Sequence, residues 1–537
     1  MMKLFCTILI TLAFIGSARA SAQNAAPAKG RTLLMVDDHD ILYRSGTNRV
    51  LHPAKRHSDR PLIAMDKRWE VGIAWTSIYR NPDTGKYQLW YQAYAGARAG
   101  DKRLKCVVCY AESDDGITFT KPELDLFPYS KELPKTNIVL IGSGGYGDRY
   151  CNSVIVEPEE KDPAKRYKML YYDFETIDGQ EYPGICAAFS PDGIHWTKHP
   201  TAPLFKTSYG TRGIQPLFTD EDPYKETKTE GKPLRKSWLY PGSLSDAVDV
   251  FRDPRRNEYV VYAKAWMDAP DGGTSWKHGI GRTASKDFLN WSEPQFIIGP
   301  DEYDSPEAEF HTMPVFFYND VYFGLNQVFV RRPIKLTIDV ELMTSRDGFK
   351  WQRDYRKPPF IQRSEPGIFD SRSVFTNSTP VILEDEIRFY YGAANMVPLM
   401  KGVKSKPGEL SGVGMASIPR DRFAGIVPVP KSDQTTLLKR PLENIGQVTF
   451  KPLDLAGTRE ITINADAAKG SIAVELLNED GYRVRGFTRD DAVPLKGDSL
   501  RHKVAWKGRE LSQLPAGRYT LRVHLDNATL YAVTFGG

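Results

Sequence analysis

One short phrase recurs along the chain, and it constrains the fold more than any other feature. Its clear copies begin with serine, carry an aspartate two residues later and end with an aromatic residue. A strand-forming run precedes each copy, and a tight turn rich in Asp or Gly lies within it. Each copy is therefore predicted to be a hairpin corner between two strands. The copies are Ser113–Phe119, Ser190–Trp196, Ser285–Trp291, Ser345–Trp351 and a degenerate fifth, Ser417–Phe423.

The segments upstream of the corners repeat as well. Each contains a short apolar strand, a turn bearing Asp, Asn or Gly, and an aromatic alternating strand. With the corner this makes four strands per unit, and radial repetition of such units is how a β-propeller protects its sheet edges. The sequence predicts an all-β protein with a five-bladed propeller over residues 30–430, in which residues 30–68 form an N-terminal arm. After a proline-containing linker, about seven short strands predict an antiparallel β-sandwich over residues 436–537.

The N-terminus predicts export. Lys3 precedes an apolar run, Leu4–Gly16, and a small-residue cleavage site ends at Ala20. We expect residues 1–20 to be a signal peptide, and the mature protein to be secreted or periplasmic. No later stretch is long and apolar enough to be a transmembrane segment.

Composition and cysteine spacing do not indicate a nucleic-acid partner or a metal site. The 72 basic and 67 acidic residues are interspersed and leave a net charge of +5, which does not indicate a nucleic-acid partner. Cys106 and Cys109 have metal-ligand spacing, but on a strand such positions point to opposite faces, so structural cysteines are expected. We expect no cofactor and no metal site, whereas disulfide pairing, a Ca²⁺ ion near the funnel and the oligomeric state stay open.

Acidic residues stand at the start of the innermost strand of every predicted blade. In a propeller these strands line a central funnel, so polar residues at their starts point toward whatever binds there. Blade three offers two acids, and blade four offers a glutamate followed by a histidine. The candidates are Glu70, Asp148 with Asn152, Asp246, Asp249, Glu309, His311, and Asp370 with Asn377.

The chain also resembles a known group of enzymes. Five blades, an export signal, corners ending in Trp and a C-terminal sandwich are similar to the five-bladed glycoside hydrolases of the families 32, 43, 62, 68 and 130 type. Phe251-Arg-Asp-Pro254 resembles the Arg-Asp-Pro motif of family 32, and Glu309 lies where those enzymes carry their acid glutamate. The opening motif Trp-Met-Asn-Asp-Pro-Asn-Gly of family 32 is absent, and Ser77 stands where an acid is expected. Asp253 directly precedes a turn, which favours Asp249 as the funnel residue.

This resemblance implies paired-carboxylate chemistry, because cleaving a glycosidic bond needs one carboxyl group that donates a proton and one carboxylate that attacks or activates water. Glu309 is the expected general acid, and Asp249 the expected base or nucleophile. Asp148, Asp370 and Glu70 compete for a third role, which is to raise the pKa of the donor. The expected substrate-binding residues are Trp75, Arg149, Asp246, Trp266, His278 and His311.

The expected function is therefore an exported glycoside hydrolase acting on a polysaccharide or oligosaccharide. Two alternatives stay open. One is a glycoside phosphorylase, for which the basic pair Arg331-Arg332 would suit phosphate. The other is a non-catalytic carbohydrate-binding propeller, which the missing acid at Ser77 would favour.

Overall fold

The computed structural model is built almost entirely of antiparallel β-strands. Short 3₁₀ helices occur at Gly96–Arg98, Lys102–Leu104, Pro163–Lys165 and Leu511–Gln513. The structure describes residues 29–144, 152–177, 180–201, 204, 244–267, 270, 277–330, 337–395, 408, 410–430 and 444–537.

The N-terminal strands are shared between two parts of the molecule. The first three pair with the C-terminal sheet, and the next two pair with the last propeller strand. The segment predicted as an arm on the propeller thus also completes the C-terminal sheet. These strands are β1 (Thr32–Leu34), β2 (Ile41–Ser45), β3 (Thr47–Leu51), β4 (Lys55–Arg56) and β5 (Ile63–Ala64).

Blades one to three are separate four-stranded antiparallel sheets. Blade one contains β6 (Gly72–Arg80), β7 (Tyr87–Tyr94), β8 (Cys106–Ser113) and β9 (Ile138–Leu140). Blade two contains β10 (Asn152–Val156), β11 (Tyr167–Ile177), β12 (Gln180–Ser190) and β13 (Thr197–Lys198). Blade three contains β14 (Leu244–Asp253), β15 (Glu258–Met267), β16 (Lys277–Ser285) and β17 (Gln295–Ile298).

Blades four and five have inner strands in two pieces, and a single parallel pairing of Ile338 with Ser373 joins their sheets. Blade four contains β18 (Ala308–Phe310), β19 (Val315–Tyr318), β20 (Val321–Val330), β21 (Thr337–Ser345) and β22 (Gln352–Tyr355). Blade five contains β23 (Ser373–Phe375), β24 (Val381–Ile382), β25 (Glu386–Ala394) and β26 (Ser411–Pro419), with β4 and β5 as its outermost strand. The N-terminal segment therefore closes the ring, and the five-bladed prediction is confirmed.

The corner phrase holds each hairpin and also joins neighbouring blades. In blade one, the Ser113 hydroxyl accepts the amide of Gly116 at 2.9 Å, and the Asp115 carboxylate accepts the next two amides at 2.7 Å. Gly116 has a positive φ of 73°, and its carbonyl accepts the hydroxyl of Tyr390 from blade five at 2.7 Å. Trp90 of blade one likewise donates to the corner carbonyl of Gly193 in blade two. The phrase is thus an inter-blade contact as well as a turn.

The C-terminal part is one antiparallel sheet coiled around its own apolar core, which includes Ile463, Val474 and Phe535. The long strand β30 pairs with one neighbour through its first half and with another through its second half, so hydrogen bonding runs continuously rather than through two separate sheets. Its strands are β27 (Ala424–Pro428), β28 (Ile445–Phe450), β29 (Leu453–Asp454), β30 (Glu460–Asn478), β31 (Leu495–Lys503), β32 (Arg518–Asp526) and β33 (Thr529–Gly536).

Within the described ranges, no helix has the length and apolar character needed to cross a membrane. Cys106, Cys109 and Cys186 are buried free thiols, and Cys151 lies outside the described residues.

Candidate active site

Hydroxyl groups join the inner strands of neighbouring blades around the axis. The Ser77 hydroxyl accepts the amide of Val154 at 2.9 Å, and the Ser153 hydroxyl accepts the amide of Val250 at 2.9 Å. The Ser378 hydroxyl of blade five donates to the carbonyl of Val250 in blade three at 2.7 Å. Because blade four lies between those two blades, this bond crosses the axis and forms a floor beneath the funnel mouth.

Asp249 places a carboxyl group at this floor. Like Ser77 and Ser153, it directly precedes a residue whose amide is bonded by the neighbouring blade, so it takes the place in blade three that serine takes in blades one and two. Its side chain is buried, and its Oδ2 has no hydrogen-bond partner among the described residues. Burial raises the pKa of Asp249 well above 3.8, despite hydrogen bonds from the Ser378 backbone and the Ser153 side chain.

Asp246 lies on the same strand in the opposite electrostatic situation. A register irregularity between Leu244 and Val248 interrupts the pairing of β14 here. Asp246 Oδ1 lies 2.5 Å from Lys264 Nζ, and both side chains are buried. Burial alone would raise the pKa of Asp246, but the ammonium group of Lys264 outweighs it and lowers that pKa below 3.8. Two acids three positions apart therefore have pKa values shifted in opposite directions.

Glu309 joins blade four to blade three through His278. Its Oε2 lies 2.5 Å from the imidazole Nδ1 of His278 and accepts the backbone amide of the same residue at 3.2 Å. The ring of Trp266 lies against this imidazole with 3.9 Å between ring centroids. The carboxyl group, the imidazole and the indole therefore form one fixed group.

His311, Trp75 and Phe375 form an aromatic wall contributed by blades four, one and five. The rings of Trp75 and Phe375 stack at 4.9 Å, and the imidazole of His311 lies 6.0 Å and 5.6 Å from them. Burial, helped by the nearby charge of Lys264, lowers the pKa of His311 to about 3, so this imidazole is neutral at physiological pH. Its Nδ1 has no partner in the part of the chain that the structure describes.

Backbone geometry sets the position of Trp75. This residue has a φ of +26°, unusual for a non-glycine residue on a strand, and lies in a β-bulge between Ala74 and Thr76. Gly392 of blade five lies directly against the bulge, since a Cβ there would come within 2.8 Å of the Ala74 backbone. The strained backbone conformation at Trp75 therefore fixes the position of the indole. The bulge fits against blade five because Gly392 has no side chain.

Asn152 is a further polar group at the axis. It begins the inner strand of blade two and is 2% exposed, yet neither its amide nitrogen nor its amide oxygen has a partner among the described residues. Buried polar groups are normally hydrogen-bonded, and an unmade bond costs about 1–3 kcal/mol. Asn152, Asp249 and His311 therefore leave unused donors and acceptors at the floor and wall of the funnel.

Two predicted site residues are paired with tyrosine and basic side chains of blades one and five. Glu70 accepts Tyr91 at 2.7 Å and Lys121 at 2.8 Å, and Asp370 accepts Tyr391 at 2.9 Å and Arg56 at 3.1 Å. Both carboxylates are buried in these contacts. Both carboxylates are thus held in ion pairs, and a catalytic role for Glu70 and Asp370 stays a prediction.

Asp148 and Arg149 lie outside the described residues, so their place in the site stays a prediction. Asp253 accepts the amide of Arg255 at 2.9 Å and the hydroxyl of Tyr322 at 3.0 Å, which makes it a turn and packing residue. Across the described ranges, no group of three or more His, Cys, Asp or Glu side chains is arranged to hold a metal ion.

Sequence reasoning missed Lys264 and Phe375, and it named Asn152 at the entrance of blade two without giving it a role. A signal for Lys264 was present, because it is the lone charge in the apolar run Tyr259–Met267. Phe375 resembled any core aromatic in the sequence. Its role at the axis depends on the ring of Trp75, which lies on a different blade.

Comparisons with known proteins add little beyond the fold. No family model matches the chain. Two uncharacterised proteins from Mycobacterium tuberculosis are 25% identical over 144 residues, which is 27% of this chain and 40% of theirs. The chain thus spans well under half the length of these curated relatives.

Solved structures of similar shape include a glycoside hydrolase at 14% identity, covering 73% of this chain and 96% of that one with a TM-score of 0.44. A glycosyl hydrolase from Bacteroides ovatus is 13% identical over 74% of this chain and 96% of its own, with a TM-score of 0.42. A Bombyx mori family 32 beta-fructofuranosidase is 12% identical over 89% of this chain and 94% of its own, with a TM-score of 0.39. At such identities the roles of residues must be argued from this chain alone.

Proposed function

We propose that the protein is a glycoside hydrolase whose active site is the funnel mouth of the propeller. The observation that carries this proposal is the presence of buried, unpartnered polar groups on Asn152, Asp249 and His311 around a floor of the axis. A hydroxyl-rich ligand would supply the missing donors and acceptors. The stacked rings of Trp75 and Phe375 would form the apolar side of the site.

The two shifted carboxyl groups supply the chemistry. Burial raises the pKa of Asp249 well above its usual range, which suits a group that protonates the leaving oxygen as the glycosidic bond breaks. Asp246 is held ionised by Lys264, which suits a carboxylate that attacks the sugar or takes a proton from water. Such opposite environments are how one site holds an acid and a base at the same pH.

This proposal reverses the roles expected from the sequence. Oε2 of Glu309 already faces two nitrogens of His278, an arrangement that suits an ionised acceptor more than a proton donor. We therefore propose that Asp249, rather than Glu309, is the general acid, and that Glu309 is a second ionised carboxylate at the mouth.

The test is release of reducing sugar from a panel of polysaccharides and aryl glycosides, with and without added phosphate. Asp249→Asn should lower turnover of natural substrates by roughly 10²- to 10⁴-fold, because it removes the proton donor. Aryl glycosides with good leaving groups should lose much less. Asp370→Asn is the matched control, since it changes a buried aspartate of blade five and should leave turnover per folded molecule unchanged.

Other outcomes would replace the proposal. Phosphate-dependent formation of a sugar phosphate would favour the phosphorylase, and tight glycan binding without turnover would favour a binding propeller. We also propose that the hydrolase is exported after removal of residues 1–20. N-terminal sequencing of the mature protein from culture medium or periplasm would test this, and an intact N-terminus in the cytoplasm would contradict it.

A further inference from the structure

A second cavity lies at the opposite end of the propeller axis. It is lined by the ends of the inner strands of all five blades, whereas Asn152 and Asp246 of the candidate active site lie near the starts of their strands. The bond from Ser378 to Val250 forms the floor between the two ends. The cavity has a volume of about 480 Å³, which is the size of a typical small-molecule site.

The lining combines an apolar surface with positive charge. Ile78, Val154, Phe316 and Val381 are buried side chains of this wall, and Ile382 is exposed at its edge. The only charged side chains of the described lining are two arginines, Arg80 and Arg252, and it contains no carboxylate. An apolar cavity with this charge is complementary to a ligand with an apolar body and an anionic end.

The two arginines keep unused hydrogen-bonding capacity. Arg252 is fixed by Glu157, 3.2 Å from its Nε, and by Asn257, yet its Nη1 has no partner among the described residues. Arg80 is exposed and lies over the ring of Tyr87 at 5.7 Å, and no acidic side chain in the described ranges pairs with it. The Arg80 guanidinium can bind a carboxylate through two parallel N–H groups, and Arg252 can add a further N–H from Nη1.

We propose that this cavity is a second ligand site, distinct from the funnel mouth, for a small amphipathic carboxylate with an aliphatic or aromatic body. The apolar body lies between the blade ends, and the carboxylate meets Arg80 and Arg252 at the edge. This site does not depend on the glycosidase proposal, because the cavity shares no charged residue with the funnel mouth.

Calorimetric titration of the full-length protein with octanoate and with 1-octanol tests the proposal, since the two probes differ mainly in charge. Octanoate should bind saturably and more tightly than 1-octanol. Arg80→Met should weaken octanoate binding by about tenfold, because a charge-assisted bond is lost, and leave 1-octanol unchanged. Arg80 is exposed, so this variant should fold normally.

A second pair of variants locates the site. Ile382→Asp places a negative charge at the cavity edge and should abolish octanoate binding, whereas Val50→Asp, at an equally exposed strand position in the C-terminal sheet, should not. If octanoate and 1-octanol bind with equal affinity, and Arg80→Met changes neither affinity, the proposed specificity for an anion is overturned. Failure of octanoate to saturate, or equal loss in both aspartate variants, would overturn the site.

Discussion

The carboxylates at the entrances of blades one and five have different polar partners from those of blades three and four. Glu70 and Asp370 each lie 21 residues before a tyrosine on strand two that donates to them. Each also meets a basic side chain from the outermost part of its own blade, Lys121 or Arg56. Acid, tyrosine and base together form a closed contact across the blade.

Blade three lacks this arrangement. Its outermost strand, Gln295–Ile298, carries no basic residue, and the cation that meets Asp246 comes from strand two, at Lys264. Among the described residues, no countercharge pairs with the neighbouring Asp249, and one of its oxygens has no partner. The comparison teaches that an acid at a blade entrance is structural where the outer strand supplies its cation, and is available for chemistry where it does not.

The largest effect that would sharpen this comparison is expected at Glu309. Glu309→Gln should lower turnover by roughly 10²-fold or more, because a charged group at the mouth is lost. If Glu309 is an ionised carboxylate, the loss should be the same for good and poor leaving groups. Steady-state rates on a series of aryl glycosides measure this, and a loss restricted to poor leaving groups would return the general-acid role to Glu309.

The next effect concerns stability. Glu70→Gln should lower the free energy of unfolding by about 3 kcal/mol, because the ammonium group of Lys121 loses the negative charge of its buried partner. Asp249→Asn should leave stability unchanged or raise it, since the native carboxyl group is buried with its Oδ2 unpartnered among the described residues. Urea denaturation of both variants checks the contrast. Equal destabilisation would mean that Asp249 is as structural as Glu70.

The pH dependence of stability should differ in sign between the two acids of blade three. The pKa of Asp249 is raised in the folded state, so its contribution is fully present below 3.8 and is lost as pH rises through the folded value. The pKa of Asp246 is lowered, so its contribution is present above 3.8 and is lost as pH falls.

Thermal melts from pH 3 to pH 8 compare each Asp→Asn variant with the wild type. The wild type should lose stability relative to Asp249→Asn as pH rises, and relative to Asp246→Asn as pH falls. Parallel curves would show that neither carboxyl group is perturbed.

The smallest effect is expected where blade five touches blade one. Gly392→Ala should displace the bulge that holds Trp75, since its Cβ would lie 3.0 Å from the Trp75 nitrogen, and should raise KM several-fold with little change in kcat. Gly100→Ala is the control, because a Cβ there meets nothing within 4 Å. A change in kcat alone would show that Trp75 does not bind the substrate.

Sequence reasoning performed best where the partners are close along the chain. The corners could be predicted because serine, aspartate and the turn amides that they bond lie within a few residues of one another, as in Ser345–Lys350. The same repetition predicted the five blades. It also predicted acids at or near the blade entrances, because the start of each inner strand could be recognised from the repeat.

Reasoning from the sequence could not rank those acids. Asp370 meets Arg56 across 314 residues, and Glu70 meets Lys121 across 51 residues, so neither countercharge is visible near the acid in the chain. Trp75 was predicted to bind substrate on its aromatic character alone. The bulge and the contact with Gly392 that orient it arise from two blades at opposite ends of the propeller segment.

The sequence by itself thus determined the strand repeat, the turn chemistry and the number of blades, because these depend on residue types at short spacings. Only the tertiary structure decided which carboxyl groups are paired with a cation, which has its pKa raised by burial, and which polar groups at the axis lack a partner among the described residues. The physical reason is that the free energy of a buried charge depends on the countercharges and dipoles around it. In a propeller those neighbours come from other strands and other blades.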